Sequence, residues 1–363
     1  MGFFPVSFSF LRNKLMCFTI RIKSLPKKGV VMSKKSVSIK DIAKLAGVSI
    51  ATVSRVINRN GKVAPETEKK ILQVMEENHY VPNLLAKGFR TQKFTTIGII
   101  VPDISIEFFS KIAKKVQTIF FERGYATIIC NTNEDYKMER QCINMLQAQH
   151  VGGIIHIVSV TTEKEKKTSI PTVYIDREPA YGNTKKDMVL IESDNVSGGY
   201  QATNEMIKNG CKNIICFCPK DKGSTHIKRW DGYCKAMEET GGKPRLVSLD
   251  NVSEVDAYEK AIELFGKDKE IDGVFATTDL IAIGVLKALK ELKIKVPSQV
   301  KVFGYDNSLL SEIATTPIAT VEQPIELMSE KAAEMLEKLM DGERPEESHI
   351  VVPVKLVKRK TGK

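Results

Sequence analysis

Residues 38–58 have the sequence SIKDIAKLAGVSIATVSRVIN, which decides the fold of the N-terminal part of the chain. Apolar residues recur there at helical spacing on two successive faces, formed by Ile39, Ile42, Ala43 and Ala46 and then by Val53, Val56 and Ile57. Gly47 lies between the faces and can adopt the positive φ that ends a helix, while Ser49 is placed to cap the next one. The stretch therefore predicts two short helices that cross at a tight turn.

The second helix has an exposed face that suits contact with DNA. This face consists of Ile50, Ala51, Thr52, Ser54, Arg55 and Asn58. Its hydroxyl groups and N-terminal amides can bind phosphate oxygens, and Arg55 is long enough to donate two hydrogen bonds to guanine O6 and N7. A third helix is predicted at residues 65–78. Together these features favour a helix-turn-helix over an ordinary two-helix corner.

This stretch, with YVPN at residues 80–83 and AKGFRT at residues 86–91, closely resembles the LacI/GalR family of bacterial regulators. The resemblance extends from Ser38 nearly to the C-terminus. It implies base contacts by Ile50, Ala51 and Arg55. It implies contacts with the DNA backbone by Ser49, Thr52, Ser54, Asn58, Thr67 and Asn83. Double-stranded operator DNA, bound by a homodimer, is the partner that the resemblance implies.

Residues 84–93 are predicted to be a hinge helix and linker. In the family, the hinge inserts a leucine from each subunit into the minor groove, and Phe89 stands at that position here. An aromatic wedge can also unstack a base step, so we expect Phe89 and Ala86 to contact the minor groove. Gly88 lowers helix propensity by about 0.8–1 kcal/mol relative to alanine. The hinge is therefore expected to become ordered on DNA.

The positive charge of the chain is concentrated at its N-terminal end. The formal net charge is +11; residues 1–32 carry six basic and no acidic residues, and residues 33–90 carry eleven basic and five acidic, which leaves −1 for residues 91–363. A basic head on a near-neutral body is expected of a protein that neutralises phosphates. Residues 1–32 do not fit the family pattern, and we expect translation to begin at Met32.

After Thr95, β-rich runs alternate with amphipathic helical stretches. The runs lie at residues 97–101, 126–130, 153–158, 172–175, 214–217, 273–275 and 300–303. This alternation predicts parallel sheets with helices on both faces, and two sets in series predict two lobes. The expected fold is a small all-α helix-turn-helix head followed by an α/β body of two doubly wound parallel-sheet lobes. The resemblance implies that this body is of the type I periplasmic-binding-protein kind.

The pattern also predicts the domain organisation. The domains are an extension (1–32), the head (33–83), the hinge and linker (84–93), a first lobe (94–191 plus 323–352), a second lobe (192–322 plus 353–357) and a tail (358–363). The last helical stretch, at residues 327–340, is expected to pack on the body. Since no leucine-heptad segment follows it, we expect a dimer rather than a tethered tetramer.

Polar residues follow several predicted strands, where ligands of open α/β sheets bind. They include Asp103, Asp176, Thr278 and Asp306, and Arg229 is predicted to open a helix after a loop at residues 220–226. For Asp103 and Asp279, capping of a helix is as good an explanation as contact with a ligand. The resemblance implies that Arg229 and Asp306 bind an effector, supported by Asp176, Thr225 and Thr278; we add Asp103.

One departure from the family concerns the effector. Val252 stands where sugar-responsive members often have an aromatic ring. This departure weakens the case for a sugar that stacks on an aromatic ring, so the expected effector is a small polar molecule, either a sugar or a related metabolite.

Motifs of catalysis and metal binding are missing from the sequence. There is no G-x-G-x-x-G or Walker loop and no G-x-S-x-G elbow. The five histidines lie far apart, and the seven cysteines are never spaced as C-x-x-C, which suits reduced thiols of a cytosolic protein. We therefore expect a cytoplasmic protein with no enzymatic activity, metal, cofactor or membrane association.

Three alternatives stand beside an effector-controlled repressor. A global catabolite regulator that responds to a phosphorylated carrier protein belongs to the same class. A solute-binding protein of a transporter would share the two-lobed body but would have a cleavable signal and no DNA-binding head. A sugar-modifying enzyme would need a nucleophile or an acid–base pair.

Overall fold

The computed structural model describes residues 37–58, 60–80, 94–159, 168–179, 188–220 and 223–363. The chain divides into two compact units, Met1–Asn83 and Leu84–Lys363, which we call the head and the body. The predicted DNA contacts Asn83, Ala86 and Phe89 lie outside the described residues, as do residues 1–32. The domain boundaries predicted above stay predictions.

The head consists of three helices around a small apolar core. They are α1 (Ile39–Ala46), α2 (Ile50–Asn58) and α3 (Pro65–Glu77). Ser38 and Asp41 form a reciprocal capping box at the start of α1, and Gly47 ends this helix with φ of 69°. Ser49 Oγ accepts a hydrogen bond from the amide of Thr52 at 3.1 Å. The predicted turn and both of its caps are confirmed. The buried core residues are Ile42, Ala43, Ala46, Val53, Val56 and Ile71.

The body alternates strands and helices along most of its length. Its strands are β1 (Thr96–Val101), β2 (Ala126–Asn131), β3 (Gly153–His156), β4 (Thr172–Ile175), β5 (Val189–Ser193), β6 (Ile214–Pro219), β7 (Leu246–Leu249), β8 (Gly273–Ala276), β9 (Lys301–Phe303), β10 (Thr320–Glu322), β11 (His349–Val352) and β12 (Lys355–Val357). Its helices are α4 (Glu107–Glu122), α5 (Tyr136–Ala148), α6 (Asn195–Lys208), α7 (Ser224–Glu239), α8 (Glu254–Lys267), α9 (Asp279–Glu291), α10 (Leu309–Ile313) and α11 (Ile325–Met340), before a 3-10 helix at Lys360–Gly362.

The first lobe is built on a six-stranded parallel sheet with the order β11-β5-β4-β3-β1-β2. Ile97, Ile99 and Val101 of β1 pack with α4 and α11 on one face. Ile100 lies in a separate cluster with Leu146 of α5 on the other face. Since side chains alternate along a strand, the continuous apolar run of β1 supplies both layers.

The second lobe has a four-stranded parallel sheet with the order β7-β6-β8-β9. Ile215 and Phe217 of β6 pack with α8 and α9, whereas Cys216 and Cys218 face α6 and α7. Both cysteines are completely buried in the core of this lobe. Each lobe is doubly wound, and the predicted fold class is confirmed.

Three connections join the lobes: one follows β5, one lies between β10 and α11, and one lies between β11 and β12. The strands β10 and β12 pair as an antiparallel ribbon. The strands β5, β7, β10, β11 and β12 were not among the predicted runs. β5 belongs to the first sheet as far as Ser193, two residues beyond the predicted lobe division. None of the helices in the described parts of the chain is both long and apolar enough to cross a lipid bilayer.

Candidate functional site

The helix α2 presents the three predicted base-contacting residues on its exposed side. Ile50 is 45% exposed, and Ala51 and Arg55 are also exposed. Val53 and Val56, on the opposite side, are buried in the core of the head. Packing of the helix thus fixes which side faces outward, although base contact by these residues stays a prediction.

The predicted contacts with the DNA backbone differ in how their polar groups are used. The hydroxyl oxygens of Ser49 and Thr52 lie 2.9 Å apart at the exposed N-terminus of α2, where phosphate binding is favourable. Asn58 donates to the Ser54 carbonyl oxygen at 2.7 Å and to its hydroxyl at 3.2 Å. Thr67 is half-buried in the first turn of α3. A phosphate contact by Asn58 would therefore require its amide to leave Ser54.

The centre of the body is organised around the buried guanidinium of Arg229, which is 3% exposed. Its Nε donates to Asn195 Oδ1 at 2.8 Å, and its Nη1 donates to the Thr277 carbonyl oxygen at 2.7 Å. Nη1 also lies 3.5 Å from Asp306 Oδ1. The guanidinium lies 3.7 Å from the centroid of the Tyr305 ring, a cation–π contact that adds to its fixation.

One local prediction about this lobe is wrong, and one alternative that the sequence left open is decided. Arg229 does not open a helix, because α7 already begins at Ser224 and Arg229 lies in its second turn. Asp279 does not cap α9; Thr278 does, by accepting a hydrogen bond from the Ile281 amide. Asp279 instead accepts hydrogen bonds from Ser308 at 2.7 and 2.9 Å and from Thr320 at 2.6 Å. These contacts tie the loop after β9 to the ribbon strand β10.

Asp176 and Arg177 form the corresponding part of the first lobe. Asp176 has φ of 70° and is 3% exposed, and its Oδ1 is buried with no hydrogen-bond partner in the described part of the chain. Arg177 Nη1 donates to both carboxylate oxygens of Glu134 at 2.9 Å and to the Val158 carbonyl oxygen at 3.1 Å. Its guanidinium lies 5.0 Å from the centroid of the Phe109 ring. Asp176 thus keeps an acceptor available for a ligand.

Residues at the lobe connections complete the site. Gln323 Nε2 donates to Asp306 Oδ1 at 2.7 Å, and its Oε1 accepts from Ser193 Oγ at 2.7 Å. Asn195, which binds Arg229, donates to the Ser193 carbonyl oxygen at 3.0 Å. The hydrogen-bonded set therefore spans the connections after β5 and after β10.

Sequence reasoning missed several of these residues, namely Arg177, Asn195, His226, Tyr305 and Gln323. Arg177 and Tyr305 adjoin Asp176 and Asp306, so adjacency could have found them. Asn195 and Gln323 carry no comparable signal, because only the tertiary fold brings the connections together.

Burial dominates the electrostatics of the site. It raises the pKa of Asp176, although Arg229 and Arg177 oppose the shift. It also lowers the pKa of His226 well below the ordinary range, with Arg229 and Arg177 adding to the effect, so the imidazole is neutral. His226 Nδ1 lies 3.1 Å from Thr277 Oγ1. Arg229 and Arg177 thus influence the pKa of one group in each lobe, Asp176 in the first and His226 in the second.

The raised pKa of Asp306 gives a prediction about stability. An aspartate titrates near about 3.9 in an unfolded chain, whereas burial raises the pKa of Asp306 to about 7. Since the folded state holds this proton more tightly, the stabilisation is complete below the unfolded pKa and is lost as the pH rises through the folded pKa. The wild-type free energy of unfolding, minus that of Asp306→Asn, should therefore fall from about pH 4 to about pH 7. Urea unfolding of both proteins at a series of pH values measures this difference in free energy. A difference that does not change with pH would contradict the raised pKa of Asp306.

The other predicted effector residues are not all joined to this cluster. Thr225 is buried in the first turn of α7, and Thr278 is 9% exposed at the cap of α9. Asp103 Oδ1 accepts from the Ser105 amide at 2.8 Å, and no hydrogen bond or ion pair among the described residues links it to Arg229. Val252 is 40% exposed in the loop before α8. Effector contact by these residues stays a prediction.

In the ranges that the structure describes, no three His, Cys, Asp or Glu side chains are grouped so that they could hold a metal ion.

Comparison with protein families gives two matches. Residues 38–83 match the model described as bacterial regulatory proteins of the lacI family, and residues 203–361 match a periplasmic binding protein-like domain. The HTH-type transcriptional regulator RegA of Clostridium saccharobutylicum is 34% identical over 333 residues, covering 89% of this chain and 98% of RegA. The ribose operon repressor of Halalkalibacterium halodurans is 32% identical over 329 residues, covering 90% and 97% of the two chains.

Solved structures show the same architecture. The lac repressor dimer bound to operator and an anti-inducer has a TM-score of 0.79 and 21% identity, covering 90% of this chain and 99% of the repressor chain. A periplasmic binding protein/LacI transcriptional regulator from Alkaliphilus metalliredigens, in complex with D-xylulofuranose, has a TM-score of 0.66 and 27% identity. It covers 74% of this chain and 98% of its own.

Proposed function

The chain belongs to the lacI family of bacterial regulatory proteins, and from that premise we propose that it is a cytoplasmic repressor that binds an operator as a homodimer and senses a neutral sugar between its two lobes. The predicted family is confirmed, and the chain is a DNA-binding transcriptional regulator. Its relatives are transcriptional regulators rather than enzymes. The observation that carries the effector proposal is the cluster formed by the buried Arg229 and Asp176 with the partly buried Asp306.

The charges of this cluster favour a neutral ligand over an anionic one. Each guanidinium already faces a carboxylate, Arg229 with Asp306 and Arg177 with Glu134. A phosphate or carboxylate would have to displace one of these carboxylates and would also face Asp176. Sugar hydroxyls can instead donate to Asp176 Oδ1 and accept from the guanidinium N–H groups.

The relatives indicate which sugars to try first. One relative is a ribose operon repressor, and the regulator that is 27% identical was crystallised with D-xylulofuranose. Phe109 and Tyr305 lie against Arg177 and Arg229. Because both rings pack against arginines, we expect the ligand to be held mainly by hydrogen bonds. We accordingly take D-ribose and D-xylulose as the first probes.

An exposed apolar face on the second lobe supports the proposed homodimer. Leu309, Leu310 and Ile313 of α10 are 57%, 50% and 66% exposed. Leu310 and Ile313 border a groove of about 660 Å³ whose other apolar residues are Ile283, Leu286, Ile294, Val296 and Ala314. A patch of this kind is unusual on a monomer, and a second copy would bury it.

Binding-site selection with the full-length protein tests the proposal. We expect random duplex DNA to yield a near-palindromic sequence, and D-ribose or D-xylulose to change the affinity for it. A response only to a phosphorylated carrier protein would favour the catabolite-regulator alternative. Failure to enrich any sequence would contradict operator binding by this chain.

Arg55→Ala is expected to relax the operator preference. Loss of a bidentate contact with guanine should remove about 1–3 kcal/mol of discrimination at one base pair in each half-site. Competition binding with single-base operator variants measures this effect. Lys69→Ala removes an exposed charge from α3 and serves as the control, since loss of a charge outside α2 can weaken binding to all sequences alike but should not change the preference at one base pair. An unchanged preference in Arg55→Ala would exclude Arg55 as a base-reading residue.

A further inference from the structure

Glu192 is a buried carboxylate that binds one group from each lobe. It lies in β5 of the first lobe, and its side chain is 2% exposed. Its Oε1 accepts a hydrogen bond from Lys228 Nζ of α7 at 2.5 Å and lies 2.6 Å from His349 Nε2 of β11. Lys228 belongs to the second lobe, whereas His349 belongs to the same sheet as Glu192. Only the contact with Lys228 therefore crosses between the lobes.

A second carboxylate lies beside Glu192 on the neighbouring strand. Asp176 follows β4 directly, its amide donates to the Ile191 carbonyl oxygen at 2.8 Å, and the charge of Glu192 contributes to its raised pKa. The strand pairing places Ile175 opposite Ile191, so Asp176 and Glu192 occupy corresponding positions. Two buried acidic groups thus stand together at the edge of the first lobe.

The helix α7 places two adjacent cations against these carboxylates. Lys228 contacts Glu192, and Arg229 lowers the pKa of Asp176 through its charge. Separation of the lobes would leave Asp176 without Arg229, and Glu192 with His349 alone. Because removal of one partner would leave the other charge buried and uncompensated, the closed lobes depend on both members of each pair being present.

We propose that Lys228 is a positioning residue whose ion pair with Glu192 holds the two lobes closed and so sets the affinity for the effector. That the body binds an effector rests on the proposed function, whereas the contact between Lys228 and Glu192 does not. Lys228 contributes to ligand affinity through the lobe equilibrium, because a ligand that binds the closed form benefits from any contact that populates it.

Hydrogen exchange of the full-length, ligand-free protein tests this proposal. The amide of Glu178 donates to Ser224 Oγ of the other lobe at 2.9 Å, so a peptide covering residues 173–179 reports lobe separation. We expect Lys228→Met and Glu192→Gln each to accelerate its exchange about tenfold. The double variant should exchange no faster than the more affected single variant, because both changes break the same contact.

Lys235→Met is the matched control. Lys235 is exposed on the same helix, and its Nζ lies 5.5 Å from the centroid of the Tyr200 ring, so this variant should exchange like wild type. A peptide over β8 should be unchanged in every variant, which separates lobe opening from general destabilisation. Wild-type exchange in Lys228→Met, or additive acceleration in the double variant, would overturn the proposal.

Calorimetric titration with D-xylulose and D-ribose supplies a second readout. If wild type binds either sugar, Lys228→Met should weaken its affinity about tenfold, and Lys235→Met should not. Equal affinities of Lys228→Met and wild type would contradict the coupling to the effector. If wild type binds neither sugar, the sugar proposal fails while the exchange result still decides the role of Lys228.

Discussion

Arg229→Met is expected to weaken sugar binding by more than about 100-fold, because a buried charged partner of the ligand is lost and Asp306 remains uncompensated. The guanidinium donates to Asn195 and Thr277, lies against Tyr305 and stands 3.5 Å from Asp306. Methionine retains much of the apolar volume but supplies no donor. Operator binding by the head should persist and should no longer respond to sugar.

The measurement pairs sugar titration with operator titration on the same preparation. Arg245→Met is the control, since Arg245 pairs with Asp268 at 2.7 Å and is 41% exposed. Its change should leave both titrations close to wild type, because an exposed pair contributes little. A sugar response of normal size in Arg229→Met would place the effector elsewhere in the body. Loss of operator binding without sugar would mean that Arg229 stabilises the DNA-binding form.

The head could be predicted closely because its determinants are local. Gly47 ends α1 and Ser49 caps α2, and both follow from residue type and from apolar spacing within 21 residues. The hinge contacts at Ala86 and Phe89 follow from resemblance alone and stay predictions. Local sequence thus predicts the helices of the head, whereas the family resemblance alone predicts the contacts of the hinge with DNA.

The effector site was only partly predictable because tertiary contacts decide it. Arg229 and Asp306 came from the resemblance, and the structure joins them. Thr278 and Asp279 are adjacent and either can cap a helix; only the contacts of Asp279 with Ser308 and Thr320, 29 and 41 residues away, separate their roles. Asn195 and Gln323 are ordinary polar residues until the lobe connections bring them to Arg229 and Asp306. Sequence patterns therefore predict the ends of strands better than they predict contacts between residues that are distant in the chain.

Gly199→Ala is expected to destabilise the body by about 3 kcal/mol or more, through overpacking at the crossing of α6 and α7. A Cβ at Gly199 would overlap the carbonyl oxygen of Arg229, and one at Gly232 would overlap the carbonyl oxygen of Val196. Backbone atoms cannot rotate away as a side chain can, so the helices would have to separate. Arg229 would then move, and sugar affinity should fall together with stability.

Gly266→Ala is the control, because Gly266 lies in α8 and a Cβ there would meet no atom within 4 Å apart from its chain neighbours and the backbone of its own helix. That change should stabilise the body by about 0.5–1 kcal/mol, since alanine favours a helix over glycine. The only tryptophan of the chain, Trp230, follows Arg229 on α7, so its fluorescence during urea unfolding reports the crossing directly. If Gly199→Ala moved the urea midpoint upward as Gly266→Ala should, the close approach of α6 and α7 would be refuted, and with it the fixed position of Arg229.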